Sequence, residues 1–215
     1  TPVPGPLYLP VAVAEAKCSP RQRRLDVALV IDASSSMQER TTAGRTKLDA
    51  ARAAAATFLD ALRLAEGDRA AIVAFHREAR LLAGLTSDRA ELGRSLAAIA
   101  VDTQTRIDLG IELAHVELVS RGSSASRAAM IVLTDGYANP VPASVAVARA
   151  TEAKADGVWL FTVGLGVAVD LPSLQQIASS PSDCHHAPHA EDLEDIYRKI
   201  ASQIPCPADQ YWPRR

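Results

Sequence analysis

The chain has 215 residues, of which 48% are hydrophobic and 22% charged, and its formal net charge at pH 7 is −2. This length and apolar content suffice for one well-packed domain, and the near-neutral charge gives no basic surface for nucleic-acid binding. Apolar runs such as Val27–Ile31 are much shorter than the roughly 20 residues of a membrane span, so we expect none in this chain.

The chain opens with a Pro-rich segment, Thr1-Pro2-Val3-Pro4-Gly5-Pro6, and without an initiator Met. Such segments prefer extended conformations, so residues 1–23 are interpreted as an extension or linker with a processed N terminus. Residues 24–204 carry the regular apolar pattern of a domain. Residues 205–215 are interpreted as a C-terminal tail.

Short strand-like runs alternate with longer helix-like runs through the domain, which is typical of an α/β protein. The expected strands are 25–31, 69–75, 79–82, 128–133, 158–163 and 184–187. The expected helices are 47–64, 88–99, 108–119, 141–156, 171–178 and 190–203. The third strand follows the second so closely that only a hairpin can join them. We therefore predict a doubly wound, mostly parallel six-stranded sheet with one short antiparallel edge strand and helices on both faces.

Oxygen-bearing side chains follow two of the expected strands. Asp32, Ser34 and Ser36 alternate directly after the first strand, at the end where open parallel sheets bind ligands. Asp135 follows the fourth strand, and it faces the same crevice as Asp32 if the two strands are neighbours. Two crowded carboxylates repel each other unless a cation lies between them, and hard cations such as Mg²⁺ take oxygen ligands. The loop of residues 102–108 adds a hydroxyl from either Thr103 or Thr105.

The set Asp32-x-Ser34-x-Ser36, a threonine before the third helix, and Thr134-Asp135-Gly136 resembles the metal-ion-dependent adhesion site (MIDAS) of von Willebrand factor type A (VWA) domains. The resemblance covers roughly residues 24–204 and implies a Rossmann-like fold that holds Mg²⁺, Mn²⁺ or Ca²⁺. It implies Ser34, Ser36 and Thr105 as inner ligands, with Asp32 and Asp135 acting mostly through water. One coordination position would stay open for a Glu or Asp of a partner protein.

The loop before the ligating threonine departs from the family, which often has Gly-Gly where this chain has Thr103-Gln104. Thr105 is preferred to Thr103 because Gly110 and Ala114 then fall at the small-residue positions that follow the family's threonine. Arg106 lies beside the site, where it would pair with a partner's acid or screen the metal.

Two of the three cysteines, Cys18 and Cys206, flank the domain. A bridge between them would close nearly the whole domain into one loop and would indicate an oxidising compartment. The alternative is three reduced thiols, which an intact-mass measurement would reveal. With the Pro-rich start, this spacing predicts an extracellular or cell-surface protein.

These features together predict a VWA domain that binds a protein through a divalent cation and catalyses nothing. One alternative is an assembly subunit of a surface or membrane complex that uses the same fold without metal. An enzyme is disfavoured because Gly-x-Gly-x-x-Gly, Gly-x-x-x-x-Gly-Lys-Ser/Thr and Gly-x-Ser-x-Gly motifs are absent, although a hydrolase built on Asp32 and Ser34 stays open. The Cys184–His189 segment carries potential Zn²⁺ or Cu²⁺ ligands, but neighbouring strand residues face opposite ways.

Overall fold

The structure of the protein is a computed structural model, which describes residues 24–204. Its centre is a six-stranded sheet in the order β3-β2-β1-β4-β5-β6. The strands are β1 Arg24–Asp32, β2 Arg69–Phe75, β3 Ala79–Thr86, β4 Ser126–Thr134, β5 Trp159–Leu165 and β6 Cys184–Ala187. All neighbours are parallel except β2 and β3, which form the expected antiparallel hairpin at one edge.

Within residues 24–204, six α-helices cover the two faces of the sheet. They are α1 Lys47–Ala61, α2 Arg89–Ala97, α3 Ile107–Arg121, α4 Ala143–Ala155, α5 Leu171–Ile177 and α6 Leu193–Gln203. Helices α1, α2 and α6 contribute to the apolar core on one face, and α3, α4 and α5 to the core on the other. The predicted mostly parallel sheet with helices on both faces is confirmed.

Strands β1 and β4 are neighbours, as the site prediction required. Their register pairs Ile31 with Leu133, so the residues that follow both strands lie together at the carboxyl ends of the strands. All residues of β1 after Arg24 are buried. This is expected for a central strand packed between two helical layers, and it explains the unbroken apolar run in the sequence.

The edge strand β3 is eight residues long, not the short strand predicted over 79–82. Its pairing with β2 contains register shifts, and the Leu85 N–H donates to the Glu117 carboxylate of α3 at 2.8 Å. This contact satisfies a backbone donor of the edge strand.

Several helix ends also differ from the prediction. Helix α2 spans Arg89–Ala97 rather than 88–99, and the Asp88 carboxylate caps it by accepting the Ala90 and Glu91 N–H groups. Helix α1 stops at Ala61, before the predicted end at residue 64. The last predicted helix begins with a 3₁₀ turn before α6.

The proposed Cys18–Cys206 bridge, the N-terminal extension and the C-terminal tail lie outside the described residues. Cys184 lies within them and is a partly buried free thiol. Among the helices in residues 24–204, none combines the length and apolarity needed to cross a membrane.

Candidate metal centre

Asp32 is the buried end of the candidate site. Its carboxylate is fully buried at the end of β1. Oδ1 accepts the Ser34 N–H at 2.7 Å, and Oδ2 accepts the Thr134 hydroxyl at 2.6 Å. These two hydrogen bonds fix the orientation of the Asp32 carboxylate, which distinguishes it from a mobile carboxylate on the surface.

A chain of hydroxyls links the β1 loop to the β4 loop. The Ser34 and Ser36 Oγ atoms lie 3.0 Å apart, and the Ser36 hydroxyl donates to Asp135 Oδ1 at 2.6 Å. A hydroxyl that gives its proton to a carboxylate keeps its oxygen lone pairs for a cation. The donor set therefore fits a hard divalent ion.

Burial is the main influence on the pKa of Asp32. It raises the pKa from 3.8 to about 6, because a charged carboxylate is poorly solvated there. Hydrogen bonds from Thr134 and Ser34 oppose this rise, while the negative charge of Asp135 adds to it. A bound divalent cation would remove this cost by stabilising the ionised carboxylates.

Thr105 lies on the neighbouring loop and is buried. Its backbone pairs with Asn139, with N–H···O distances of 2.9 and 3.1 Å, so this loop is joined to the loop that follows Asp135. Thr103 is exposed and its hydroxyl contacts Asp102. Burial and backbone pairing therefore favour Thr105 over Thr103. Within residues 24–204, no hydrogen bond joins the Thr105 hydroxyl to the other four predicted ligands.

The departure from Gly-Gly has a structural consequence at Gln104. This residue has φ = 68°, in the left-handed region that favours glycine. The chain thus keeps a backbone shape that suits glycine while presenting a larger polar side chain.

Lys47 is a residue of the site that sequence reasoning missed. Its ammonium donates to Asp135 Oδ2 at 2.8 Å and to Glu39 Oε2 at 2.5 Å. Burial lowers the pKa of Lys47, but the contacts with Asp135 and Glu39 outweigh that effect and the pKa is raised. One signal was visible in the sequence: a lysine at the first position of a helix opposes the helix dipole and calls for an acidic partner.

Arg106 has a different partner from either predicted one. Its guanidinium forms a bidentate ion pair with Asp108, two residues later, at 2.9 and 2.7 Å. The Arg106 side chain is therefore paired with a residue in the first turn of α3.

The structure does not support the Zn²⁺ or Cu²⁺ interpretation of residues 184–189. His186 Nε2 lies 2.7 Å from the Gly166 carbonyl oxygen, a contact between a strand and a loop. No group of three or more His, Cys, Asp or Glu side chains placed to hold a metal occurs in residues 24–204. Of the five predicted ligands of the candidate centre, two are carboxylates and three are hydroxyls.

The surface around the centre offers room and apolar contacts. A cleft of about 170 Å³ adjoins Lys47 and is lined by residues that include Arg40, Gly166 and His189. Tyr137 and Val167, in the loops after β4 and β5, are 61% and 88% exposed. The carboxyl end of the sheet therefore combines a buried polar centre with exposed apolar side chains.

Comparison with known proteins decides the family. A family model of the von Willebrand factor type A domain matches residues 26–199. This chain belongs to the von Willebrand factor type A family. The VWA match spans all six strands in part or in full, and it includes Asp32, Ser34, Ser36, Thr105 and Asp135. A comparison with curated protein sequences found no match.

Solved structures share the VWA fold at low sequence identity. Proximal thread matrix protein 1 from the mussel byssus, in a structure described as having a zinc-occupied MIDAS motif, is similar at 23% identity and a TM-score of 0.74, over 86% of this chain and 46% of that one. The vWF domain of the type V pili tip protein Mfa5 from Porphyromonas gingivalis is similar at 19% identity and a TM-score of 0.76, over 85% and 95%. The pilus adhesin SpaC from Lactobacillus rhamnosus GG is similar at 17% identity and a TM-score of 0.73, over 85% of this chain and 31% of that one. The chain thus spans less than half of the mussel protein.

Proposed function

We propose that this VWA domain binds a partner protein through a divalent cation at a MIDAS. Ser34, Ser36 and Thr105 would contact the ion directly, and Asp32 and Asp135 would hold it mostly through water. The ion, when bound, supplies a Lewis-acidic position for a Glu or Asp of the partner. Mg²⁺ is the expected ion, with Mn²⁺ or Ca²⁺ as alternatives, since all three accept oxygen ligands.

The observation that carries this proposal is the hydrogen-bonded chain that runs from Thr134 through Asp32, and from Ser34 through Ser36 to Asp135. It joins side chains about 100 residues apart in sequence. A serine turn that only connects a strand to a helix would not require the two buried carboxylates, Asp32 and Asp135, that bind Ser34 and Ser36 here. The exposed Tyr137 and Val167, in the loops after β4 and β5, would supply apolar contact area at the same end of the sheet.

We place the protein in an extracellular or cell-surface setting, and we propose a binding role without catalysis. A setting of this kind accords with the flanking cysteines and the Pro-rich start. Among the similar structures are a byssus matrix protein and two pilus proteins. Turnover of a generic ester by the purified chain would contradict the non-catalytic part of the proposal.

A second candidate is a metal-independent assembly subunit of a surface or membrane complex. The ion pair between Lys47 and Asp135 favours it, because this lysine already balances one carboxylate of the centre. A subunit of this kind would assemble equally well in the presence of a chelator.

The deciding experiment is a pull-down from the native cell surface, with Mg²⁺ or with EDTA, comparing wild type with Asp32→Ala. We expect one partner to be captured by the wild type in Mg²⁺ and lost both in EDTA and with the variant. Asp60→Ala is the matched control, since Asp60 is exposed and pairs with Arg89 away from the centre. Capture that is unchanged by EDTA and by Asp32→Ala would refute the metal-dependent function and support the second candidate.

A further inference from the structure

We infer that Lys47 is a built-in counter-cation of the metal centre, which neutralises Asp135 in the metal-free protein and must leave that carboxylate when a divalent ion binds. Lys47 would therefore set the affinity of the centre for its ion. This inference rests on the proposed function, since it concerns the regulation of the same site.

The ion pair is unlike an ordinary surface contact. The Asp135 side chain is fully buried and that of Lys47 is 19% exposed, with 2.8 Å between Nζ and Oδ2. The other carboxylate oxygen, Oδ1, accepts from Ser36. Each oxygen of Asp135 thus accepts one hydrogen bond, and an ion that draws on this carboxylate meets the ammonium beside it.

Charge balance gives the direction of the effect. Asp32 and Asp135 together carry two negative charges when ionised, which a divalent ion neutralises by itself. An ammonium held at the same carboxylate adds a third positive charge, which the exposed Glu39 offsets only in part, and it repels the ion with little screening because Asp135 is buried. Without the ion, however, the ammonium offsets part of the repulsion between the two carboxylates.

Glu39 provides a second partner for the displaced ammonium. Its Oε2 lies 2.5 Å from Lys47 Nζ, and its side chain is 64% exposed. Lys47 can therefore release Asp135 and keep an ion pair. The adjoining cleft, which Lys47 helps to line, gives the side chain space to turn.

The position of Lys47 in the helix supports a specific role. It is the first residue of α1, where a positive charge opposes the helix dipole. The capping of α1 does not depend on it, because Thr46 accepts the Asp49 N–H. The carboxylates of the centre and of Glu39 are the groups that make a lysine favourable here.

The test compares Lys47→Met with the wild type by isothermal titration with Mg²⁺ and by thermal unfolding in EDTA and in saturating Mg²⁺. We expect Lys47→Met to bind Mg²⁺ roughly ten-fold more tightly. We also expect its melting temperature to be lower than that of the wild type in EDTA and equal or higher in Mg²⁺. A purely structural role would instead lower the melting temperature equally in both conditions.

Two further variants control the experiment. Lys47→Gln keeps a hydrogen-bond donor near Asp135 without the charge, and serves if the Met variant unfolds without metal. Lys154→Met removes a lysine whose ammonium donates to the backbone carbonyls of Gln176 and Ala178, and should leave Mg²⁺ affinity unchanged.

The possible outcomes separate this inference from the proposed function. Equal Mg²⁺ affinity in the wild type and in both Lys47 variants would overturn the inference and leave the proposed function intact. Binding by the variants alone would support the inference and make the wild type the metal-independent subunit. No binding of Mg²⁺, Mn²⁺ or Ca²⁺ by any of them would overturn both.

Discussion

Replacing Asp32 by asparagine in the metal-free protein tests the electrostatics of the centre. The substitution removes a fully buried carboxylate and keeps its shape. Because burial raises the pKa of Asp32 from 3.8 to about 6, the folded state binds more protons than the unfolded state between these values. Stability therefore falls as the pH rises through this interval, and the full penalty is present above pH 6.

The size of the effect follows from the two pKa values. Linkage gives a destabilisation from Asp32 of about 1–2 kcal/mol at pH 5 and about 3 kcal/mol at pH 7.5, relative to a site that stays neutral. The asparagine side chain of the variant does not titrate. The stability of Asp32→Asn relative to the wild type should therefore increase by about 1–2 kcal/mol between pH 5 and pH 7.5.

The assay is urea unfolding of both proteins in EDTA at the two pH values. Taking the difference between the proteins at each pH removes the contribution of every other titrating group that behaves alike in both. Comparing this difference between the two pH values then cancels any pH-independent loss from the hydrogen bonds of Asp32 with Ser34 and Thr134. A difference that stays constant with pH would show that Asp32 is not an uncompensated buried carboxylate, and would refute this reasoning.

Three other outcomes are expected. Thr134→Val should lower the free energy of unfolding by about 1–3 kcal/mol in urea titrations, because the buried Asp32 carboxylate loses the hydrogen bond from Thr134. The control is Thr151→Val, on an exposed helix face, which should cost less than about 0.5 kcal/mol. Gly110→Ala should lower the free energy of unfolding by about 1–3 kcal/mol, since the new Cβ would lie 2.8 Å from the Phe75 ring. The control is Gly93→Ala, where the new Cβ would meet the end of the flexible Arg89 side chain, and this change should be neutral or stabilising. Equal effects of the two substitutions would contradict the packing argument. Mg²⁺ at about 100 times its dissociation constant should stabilise the wild type by about 2.7 kcal/mol, and an unchanged melting temperature on adding EDTA would argue against ion binding.

The central strands could be predicted because burial on both faces leaves a continuous apolar run, as in β1. The edge strand β3 could not be given its full length, because it is buried only in part and lacks a clear alternation. Its Leu85 N–H is satisfied by Glu117, 32 residues further along the chain. Contacts of this kind leave no local pattern in the sequence.

The candidate site shows the same division. Asp32, Ser34 and Ser36 form a local motif, and the register of β1 with β4 brings Asp135 to them as expected. The role of Lys47 depends on an ion pair between residues 88 apart, which only the folded chain reveals. Arg106 was visible beside the site, but its pairing with Asp108 depends on side-chain geometry.

A crystal structure of the protein grown with Mg²⁺ tests the central claim most directly. We predict one ion at the ends of β1 and β4, with the Ser34, Ser36 and Thr105 hydroxyl oxygens about 2.1 Å from it, Asp32 and Asp135 reached mostly through water, and Lys47 turned from Asp135 toward Glu39. Only solvent between these side chains at high Mg²⁺, with the Lys47–Asp135 ion pair intact, would contradict the account.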